Sequence, residues 1–168
     1  MKILVAYASA QGSTKEIAER IADRLREHKA TVDCVSVTDP IDVAGYDAFV
    51  IGSAIHGQAW LSQARQFIQQ NQVILHARPV WLYSVGMPGA LGRPLRKWAM
   101  QEGPKATHDL QQLTDAVQTQ LFSGVVERQD FPLVSRMIFK VMGGRYGDAR
   151  DWPQIARWAD GIASALVC

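Results

Sequence analysis

The sequence predicts a doubly wound α/β fold, in which helices cover both faces of a parallel sheet. Two observations lead to this prediction. Short apolar runs alternate along the chain with longer amphipathic segments, as expected for successive βα units. Three of the short runs are almost wholly apolar, which is typical of strands covered on both faces.

The predicted elements follow one another without repeats, low-complexity linkers or a visible domain boundary. Strands are predicted at 2–7, 31–37, 48–54, 79–85 and 119–126. Helices are predicted at 14–29, 61–75, 109–117 and 152–166. In the first helix Ile17, Ile21 and Leu25 recur every four residues with charged residues on the other side, which indicates an amphipathic helix. In such folds ligands bind beyond the carboxyl ends of the strands, here the loops 8–14, 53–60, 84–93 and 127–151.

The composition is that of an ordinary globular protein, with 48% hydrophobic and 20% charged residues among 168. This length fits a single domain, 1–168, with a substantial core. The net charge of +2 does not require nucleic acid or an anionic membrane as a partner. Cys34 and Cys168 lack the spacing of a metal or disulfide framework, and no signal peptide or spanning segment is recognisable. We therefore expect a cytoplasmic protein without a metal site.

The loop behind the first strand, within "YASAQGST" (7–14), is rich in hydroxyl groups and has no charge. Entering a helix, it would present that helix's unpaired N–H groups to a ligand. Ser9, Ser13 and Thr14 add hydroxyl donors, and Gly12 allows close backbone approach, a combination that suits a phosphate. Neither G-x-G-x-x-G nor a P-loop motif is present. The alternative is a serine-rich turn without a ligand.

The stretch "YASAQGSTKEIA" resembles the phosphate loop of flavodoxins, which implies FMN as cofactor. It also implies a flavodoxin-like three-layer sandwich with strand order 2-1-3-4-5. The segments "YDAFVIGSAIHGQAW", "LFSGVV" and "SRMIFKVMGGRYGDARDW" are similar to the flavodoxin-type, menaquinone-dependent protoporphyrinogen dehydrogenases, which carry an insertion after strand 5, here about 130–150. This second resemblance implies an FMN-dependent oxidoreductase that passes electrons from a small organic donor to a quinone. A flavodoxin-type electron carrier and a protein that binds a deazaflavin remain alternatives.

The resemblance also implies which residues hold the cofactor, with the flavin ring between loops 53–60 and 84–93. The implied cofactor-binding residues are Ser9, Ala10, Gln11, Gly12, Ser13, Thr14, Ser53, Ala54, Ile55, His56, Gly57, Trp60, Ser84, Val85, Gly86, Met87 and Gly89. Gly57 could flip to positive φ and aim a backbone group at flavin N5. Trp60 either stacks on the ring or begins the next helix and packs beneath the loop. His56 is the candidate catalytic proton donor, the alternative being a solvated loop histidine.

Acidic residues are missing from one long stretch of the chain. Between residues 48 and 101 there is no Asp or Glu, whereas Arg65, Arg78, Arg93, Arg96 and Lys97 all lie there. If this charge pattern survives folding, the flavin would be a milder reductant than one surrounded by carboxylates. The cations at 93–97 either face a substrate's carboxylates or form a solvated helix start.

Residues 131–144 are predicted to form a short, basic amphipathic helix with Pro132 at its start and Gly143–Gly144 at its end. Such a helix could dip into a membrane surface, where menaquinone would be met. It could equally cover the flavin site, or pack against the core or another subunit.

Overall fold

The computed structural model describes residues 1–56, 59–87, 107–126 and 146–167. Its strands are β1 (Lys2–Ala8), β2 (Thr31–Ser36), β3 (Ala48–His56), β4 (Ala59–Trp60), β5 (Val80–Gly86), β6 (Gln118–Ser123), β7 (Val125–Val126) and β8 (Gly147–Asp148). Its helices are α1 (Ser13–Glu27), α2 (Ser62–His76), α3 (His108–Thr114) and α4 (Trp152–Val167), with a 3-10 turn at Val43–Gly45. Within these ranges, no helix is both long and apolar enough to cross a bilayer.

The main sheet has the order β2-β1-β3-β5-β6, and all four of these pairings are parallel. Counting only the five long strands, this is the predicted order 2-1-3-4-5. The two-residue strand β4 pairs antiparallel with the end of β3. β7 and β8 form a separate antiparallel pair.

Helices cover both faces of the sheet, which confirms the predicted three-layer arrangement. Ile3 and Val5 of β1 point into a core with α1 and α4, and Leu4 and Ala6 point into a second core with α2 and α3. Because successive residues of a strand face opposite sides, a strand that lies between two cores must be apolar at nearly every position. This explains the unbroken run "ILVA".

One cross-strand contact admits only glycine. Gly52 of β3 lies opposite Tyr83 of β5, and a Cβ atom on Gly52 would lie 1.9 Å from Cζ of the tyrosine ring. The buried Tyr83 ring therefore lies across β3 itself. On its other side it meets Phe122 and Trp158, with ring centroids 6.0 Å away in each case.

The structure differs from two of the predicted elements. The predicted strand 119–126 is interrupted at Gly124, because β6 ends at Ser123 and β7 joins the second sheet. The predicted helix 109–117 ends at Thr114, since Asp115 adopts a left-handed φ of 48°. Val117 N–H already donates to the Val80 carbonyl at the sheet edge. The helix predicted at 131–144 lies outside the described residues.

Candidate functional site

The loop between β1 and α1 is shaped by Ser9 and Gly12. Gly12 N–H donates to Oγ of Ser9 at 2.9 Å, and Gly12 itself has a left-handed φ of 94°, which a residue with a side chain rarely adopts. α1 begins directly afterwards, and among the described residues no side chain caps its N-terminus. Within that part of the chain, the positive end of α1 is therefore available to a ligand.

Thr14, in the first turn of α1, carries an unsatisfied polar atom. Its side chain is 0% exposed, and its Oγ1 finds no hydrogen-bond partner in the part of the chain that the structure describes. A buried hydroxyl without a partner costs about 1–3 kcal/mol. A phosphate oxygen at this helix N-terminus would remove that cost, so the residues present fit a bound phosphate.

The other predicted residues of this loop surround the helix start. Ser13 is half-buried, and its Oγ lies next to Gly124 at the end of β6. Ala10 and Gln11 are exposed. Ser13 and Thr14 thus place two hydroxyl groups in the first turn of α1.

The parallel register brings the predicted ligand loops to one edge of the sheet. Ala8 lies beside Ser53, and Ser53 lies beside Ser84. Neighbouring strands are about 4.8 Å apart, so the loops that follow these residues begin close together. The predicted convergence of loops 8–14, 53–60 and 84–93 is therefore present as far as these loops are described.

Ser53 ties β3 to the start of α2. Its buried Oγ donates to the Ala54 carbonyl at 2.9 Å and accepts from Leu61 N–H at 3.1 Å. Ala54 and Ile55 are half-buried beyond it, and His56 is exposed opposite Ala59. The hydroxyl of Ser53 therefore supports the loop from below, while His56 stands at its exposed end.

Trp60 packs beneath the loop. Its indole is 3% exposed, and Nε1–H donates to Oγ of Ser84 at 2.8 Å. The indole also lies in the core beside α2. Of the two predicted roles, this burial fits packing beneath the loop. The hydrogen bond also occupies Ser84.

The end of β5 is joined to the end of β6. Val85 is buried, and Gly86 accepts a hydrogen bond at its carbonyl from Gly124 N–H at 2.8 Å. Met87 is 43% exposed and is the most exposed apolar side chain among the described residues 84–87 of this loop. Gly57 and Gly89 lie outside the described residues.

The described carboxyl ends of β1, β3, β5 and β6 carry no acidic residue. The carboxylates beside them, Glu16 and Asp148, are both paired with Arg150, at 2.5 and 2.7 Å. The Arg150 hydrogen bonds hold the pKa of the Asp148 carboxyl below its usual range. One guanidinium is thus shared by two carboxylates, so these three side chains together carry one net negative charge. Asp39 lies exposed just beyond the carboxyl end of β2.

The predicted cluster of cations is only partly located at this edge. Arg78 donates to the carbonyls of Ala44 and Tyr46, at the other end of β5. Arg65 is exposed in the first turn of α2. Folding thus separates Arg78 from the site, and Arg93, Arg96 and Lys97 lie outside the described residues.

Two nearby protonatable groups are kept neutral by burial. Burial raises the pKa of the Cys34 thiol to about 11, so Cys34 is not a thiolate nucleophile at neutral pH. Burial also raises the pKa of the Tyr7 hydroxyl.

Sequence reasoning missed two residues of this region. Gly124 touches the phosphate loop, and Arg150 binds the first turn of α1. A glycine between "FS" and "VV" was a weak signal, but no local pattern links Arg150 to Glu16, 134 residues away.

A doubly wound sheet of this strand order, with a hydroxyl-rich loop opening onto a free helix N-terminus, defines a phosphate-binding α/β protein. The chain belongs to the flavodoxin domain family, whose model matches residues 4–151. It is 25% identical to protoporphyrinogen IX dehydrogenase [quinone] of Escherichia coli K12, over 97% of this chain and 95% of that protein. It is 36% identical to the probable flavodoxin 1 of Bacillus subtilis, over 44% of this chain and 48% of that protein.

Among solved structures, flavodoxin 2 of Bacillus cereus matches with a TM-score of 0.65 and 21% identity, covering 100% of each chain. This likeness concerns the fold. FMN is the cofactor of the family and of this chain, and the partnerless hydroxyl of Thr14 at the α1 N-terminus fits its phosphate. The protein therefore has an FMN-associated redox role.

Proposed function

We propose that this protein is an FMN-dependent dehydrogenase that oxidises a porphyrinogen and passes the electrons to a quinone. The observation that carries the proposal is the extent of its similarity to the E. coli dehydrogenase, which runs through 97% of the chain. The match to the B. subtilis flavodoxin covers 44%.

The electrostatics of the described sheet edge support this choice. An electron carrier needs a strongly reducing flavin, and carboxylates beside the ring would provide it by repelling added negative charge. A unit charge at about 8 Å and an effective dielectric constant of about 20 is worth roughly 2 kcal/mol. Because Glu16 and Asp148 share the cation Arg150, these three side chains together contribute one negative charge and not two. The edge suits a flavin that accepts electrons from an organic donor.

The residues at the carboxyl edge of the sheet would have the following roles. The α1 N-terminus with Ser13 and Thr14 would hold the FMN phosphate, and Gly12 would let the backbone approach it. Trp60 and Ser84 would keep the ring-side loop in place through their buried hydrogen bond. When bound, FMN supplies a ring that exchanges electrons singly or in pairs.

His56 would serve as the proton donor or acceptor for the substrate, since it is exposed at the end of β3. The donor loses electron pairs with their protons, and each pair reduces one quinone to its quinol. The basic residues 93–97 would face the carboxylates of a porphyrinogen, and residues 131–144 would meet the membrane that contains menaquinone. Both segments lie outside the described residues.

The test is anaerobic oxidation of protoporphyrinogen IX by the FMN-loaded protein with a menaquinone analogue, followed by porphyrin fluorescence. We expect porphyrin to form only when protein, FMN and quinone are all present. Protein without FMN and protein without quinone are the controls. A holoprotein that forms porphyrin no faster than free FMN would overturn the proposal.

The second candidate is a flavodoxin-type electron carrier, which the 36% identity to the B. subtilis flavodoxin favours. It predicts a yellow protein that is inactive with porphyrinogen but is reduced by a flavodoxin reductase. The absorption spectrum of the cofactor extracted from the protein would also distinguish FMN from a deazaflavin.

A further inference from the structure

Residues beside the β7–β8 pair contact the phosphate loop and the first turn of α1 at two points. Both residues lie far from that loop in the sequence. The first is a close contact at Gly124. Its N–H donates to the Gly86 carbonyl, and its own carbonyl accepts from Ala149 N–H. A Cβ atom at Gly124 would lie 2.8 Å from Cγ1 of Val85 and 3.3 Å from Oγ of Ser13. Glycine therefore lets this backbone lie against the hydroxyl that precedes Thr14.

The second point is the side chain of Arg150, which follows Ala149 directly. Its guanidinium donates to both carboxylate oxygens of Asp148, at 2.9 and 2.7 Å, and to Oε2 of Glu16 at 2.5 Å. It also lies 4.5 Å from the ring centroid of Trp152. The side chain is 9% exposed. Three residues, Asp148, Glu16 and Trp152, thus hold this cation in one place.

Glu16 is the acidic residue in the first turn of α1. Its carboxylate is favourable for the empty helix end, but it would repel a phosphate bound there. Arg150 binds this carboxylate and that of Asp148 at once, so the three side chains together carry one negative charge and not two. The pairing therefore lowers the repulsion that an anion would meet at the helix N-terminus.

We propose that Arg150 is a positioning residue for the cofactor phosphate, screening the Glu16 carboxylate and holding the Gly124 backbone against Ser13. It need not touch the phosphate. The inference rests on FMN as the cofactor and is independent of which substrate the flavin oxidises. Its effect is confined to the phosphate, so riboflavin, which has the same ring without the phosphate, is the matched probe.

The experiment titrates the protein, freed of FMN, with FMN and with riboflavin at low ionic strength, following the quenching of flavin fluorescence. Removing Arg150 exposes the Glu16 carboxylate to a phosphate dianion. At a separation of about 10 Å and an effective dielectric constant of about 40, this weakens binding on the order of tenfold. We expect R150Q to raise the Kd of FMN by about this factor and to leave the Kd of riboflavin unchanged.

Two further variants separate charge from structure. The double variant E16Q/R150Q removes the Glu16 charge together with Arg150, leaves Asp148 without its cation, and is expected to recover part of the lost FMN affinity. R150K keeps the charge and is expected to stay within about threefold of the unsubstituted protein. Both measurements concern binding alone, so failure to oxidise porphyrinogen would count against the proposed function and not against this role.

An equal loss of FMN and riboflavin affinity in R150Q would overturn the proposal, because the residue would then merely stabilise the fold. So would an unchanged FMN affinity, or a double variant that recovers nothing. An unsubstituted protein that binds the two flavins equally would also overturn it, since no phosphate contribution would exist.

Discussion

Replacing Thr14 with valine is expected to stabilise the protein without its cofactor while weakening cofactor binding. The substitution keeps the shape of the side chain and removes its hydroxyl group. Thr14 is 0% exposed, and this hydroxyl has no hydrogen-bond partner among the described residues. An unsatisfied buried hydroxyl costs about 1–3 kcal/mol, so the free energy of unfolding is expected to rise by about 1–2 kcal/mol. For a chain of this size that corresponds to roughly 2–8 °C in Tm.

The effect on binding has the opposite sign. A hydrogen bond to a charged group contributes about 1.5–3 kcal/mol, so T14V is expected to raise the Kd of FMN by roughly 10- to 150-fold. Urea unfolding of the FMN-free protein measures the first effect, and fluorescence titration with FMN measures the second. The two changes together identify a hydroxyl reserved for a ligand.

Thr114 provides the matched control. It is also 0% exposed, but its Oγ1 donates to the Leu110 carbonyl at 2.9 Å, at the opposite edge of the sheet. T114V is expected to lower the free energy of unfolding by about 1 kcal/mol and to leave the Kd of FMN unchanged. If T14V destabilised the protein as T114V does, or left FMN binding intact, the assignment of Thr14 to the phosphate would be refuted.

Three other substitutions test separate parts of the structure. G52A places a methyl group 1.9 Å from the Tyr83 ring and is expected to lower the free energy of unfolding by at least about 3 kcal/mol. The double variant G52A/Y83L is expected to recover part of this loss. A loss below about 1 kcal/mol in urea unfolding of G52A would show that the ring can move aside. Tyr46 donates to the Asp33 carboxylate at 2.8 Å and holds the pKa of that carboxyl below its usual range. This contribution is present above the unfolded pKa of about 3.9 and is lost as the pH falls through the lower, folded pKa. The urea midpoints of Y46F and the unsubstituted protein are therefore expected to differ at pH 6 and to approach each other as the pH falls below about 3.9. A difference independent of pH would contradict this. His56→Glu adds a carboxylate at the exposed end of β3 and is expected to lower the midpoint potential of the bound flavin, on the order of 90 mV if the charge lies about 8 Å from the ring. The neutral H56Q is the control and is expected to leave the potential unchanged. Equal potentials of the two variants in a redox titration would place His56 away from the flavin.

Local sequence pattern was enough to predict most of the strands and helices and their order in the sheet. The apolar runs located β1, β3 and β5, because a strand between two cores has no polar face. The hydroxyls after β1 predicted the phosphate loop, because a helix N-terminus needs only a few consecutive residues to form. What failed was anything that depended on a partner far along the chain. The sequence left two roles open for Trp60 and could not show that Ser84, 24 residues later, accepts the hydrogen bond of its indole N–H.

The sequence by itself determined the alternating strands and helices, the hydroxyl-rich loop between β1 and α1, and the absence of acidic residues from positions 48–101. These follow from periodicity and from residue types within a few positions of one another. Only the tertiary structure decided that Tyr83 covers Gly52, that Arg78 is removed from the site, and that Arg150 reaches Glu16. The physical reason is that strand order and register set which distant residues meet, and a charge or hydroxyl acts according to its neighbours in space.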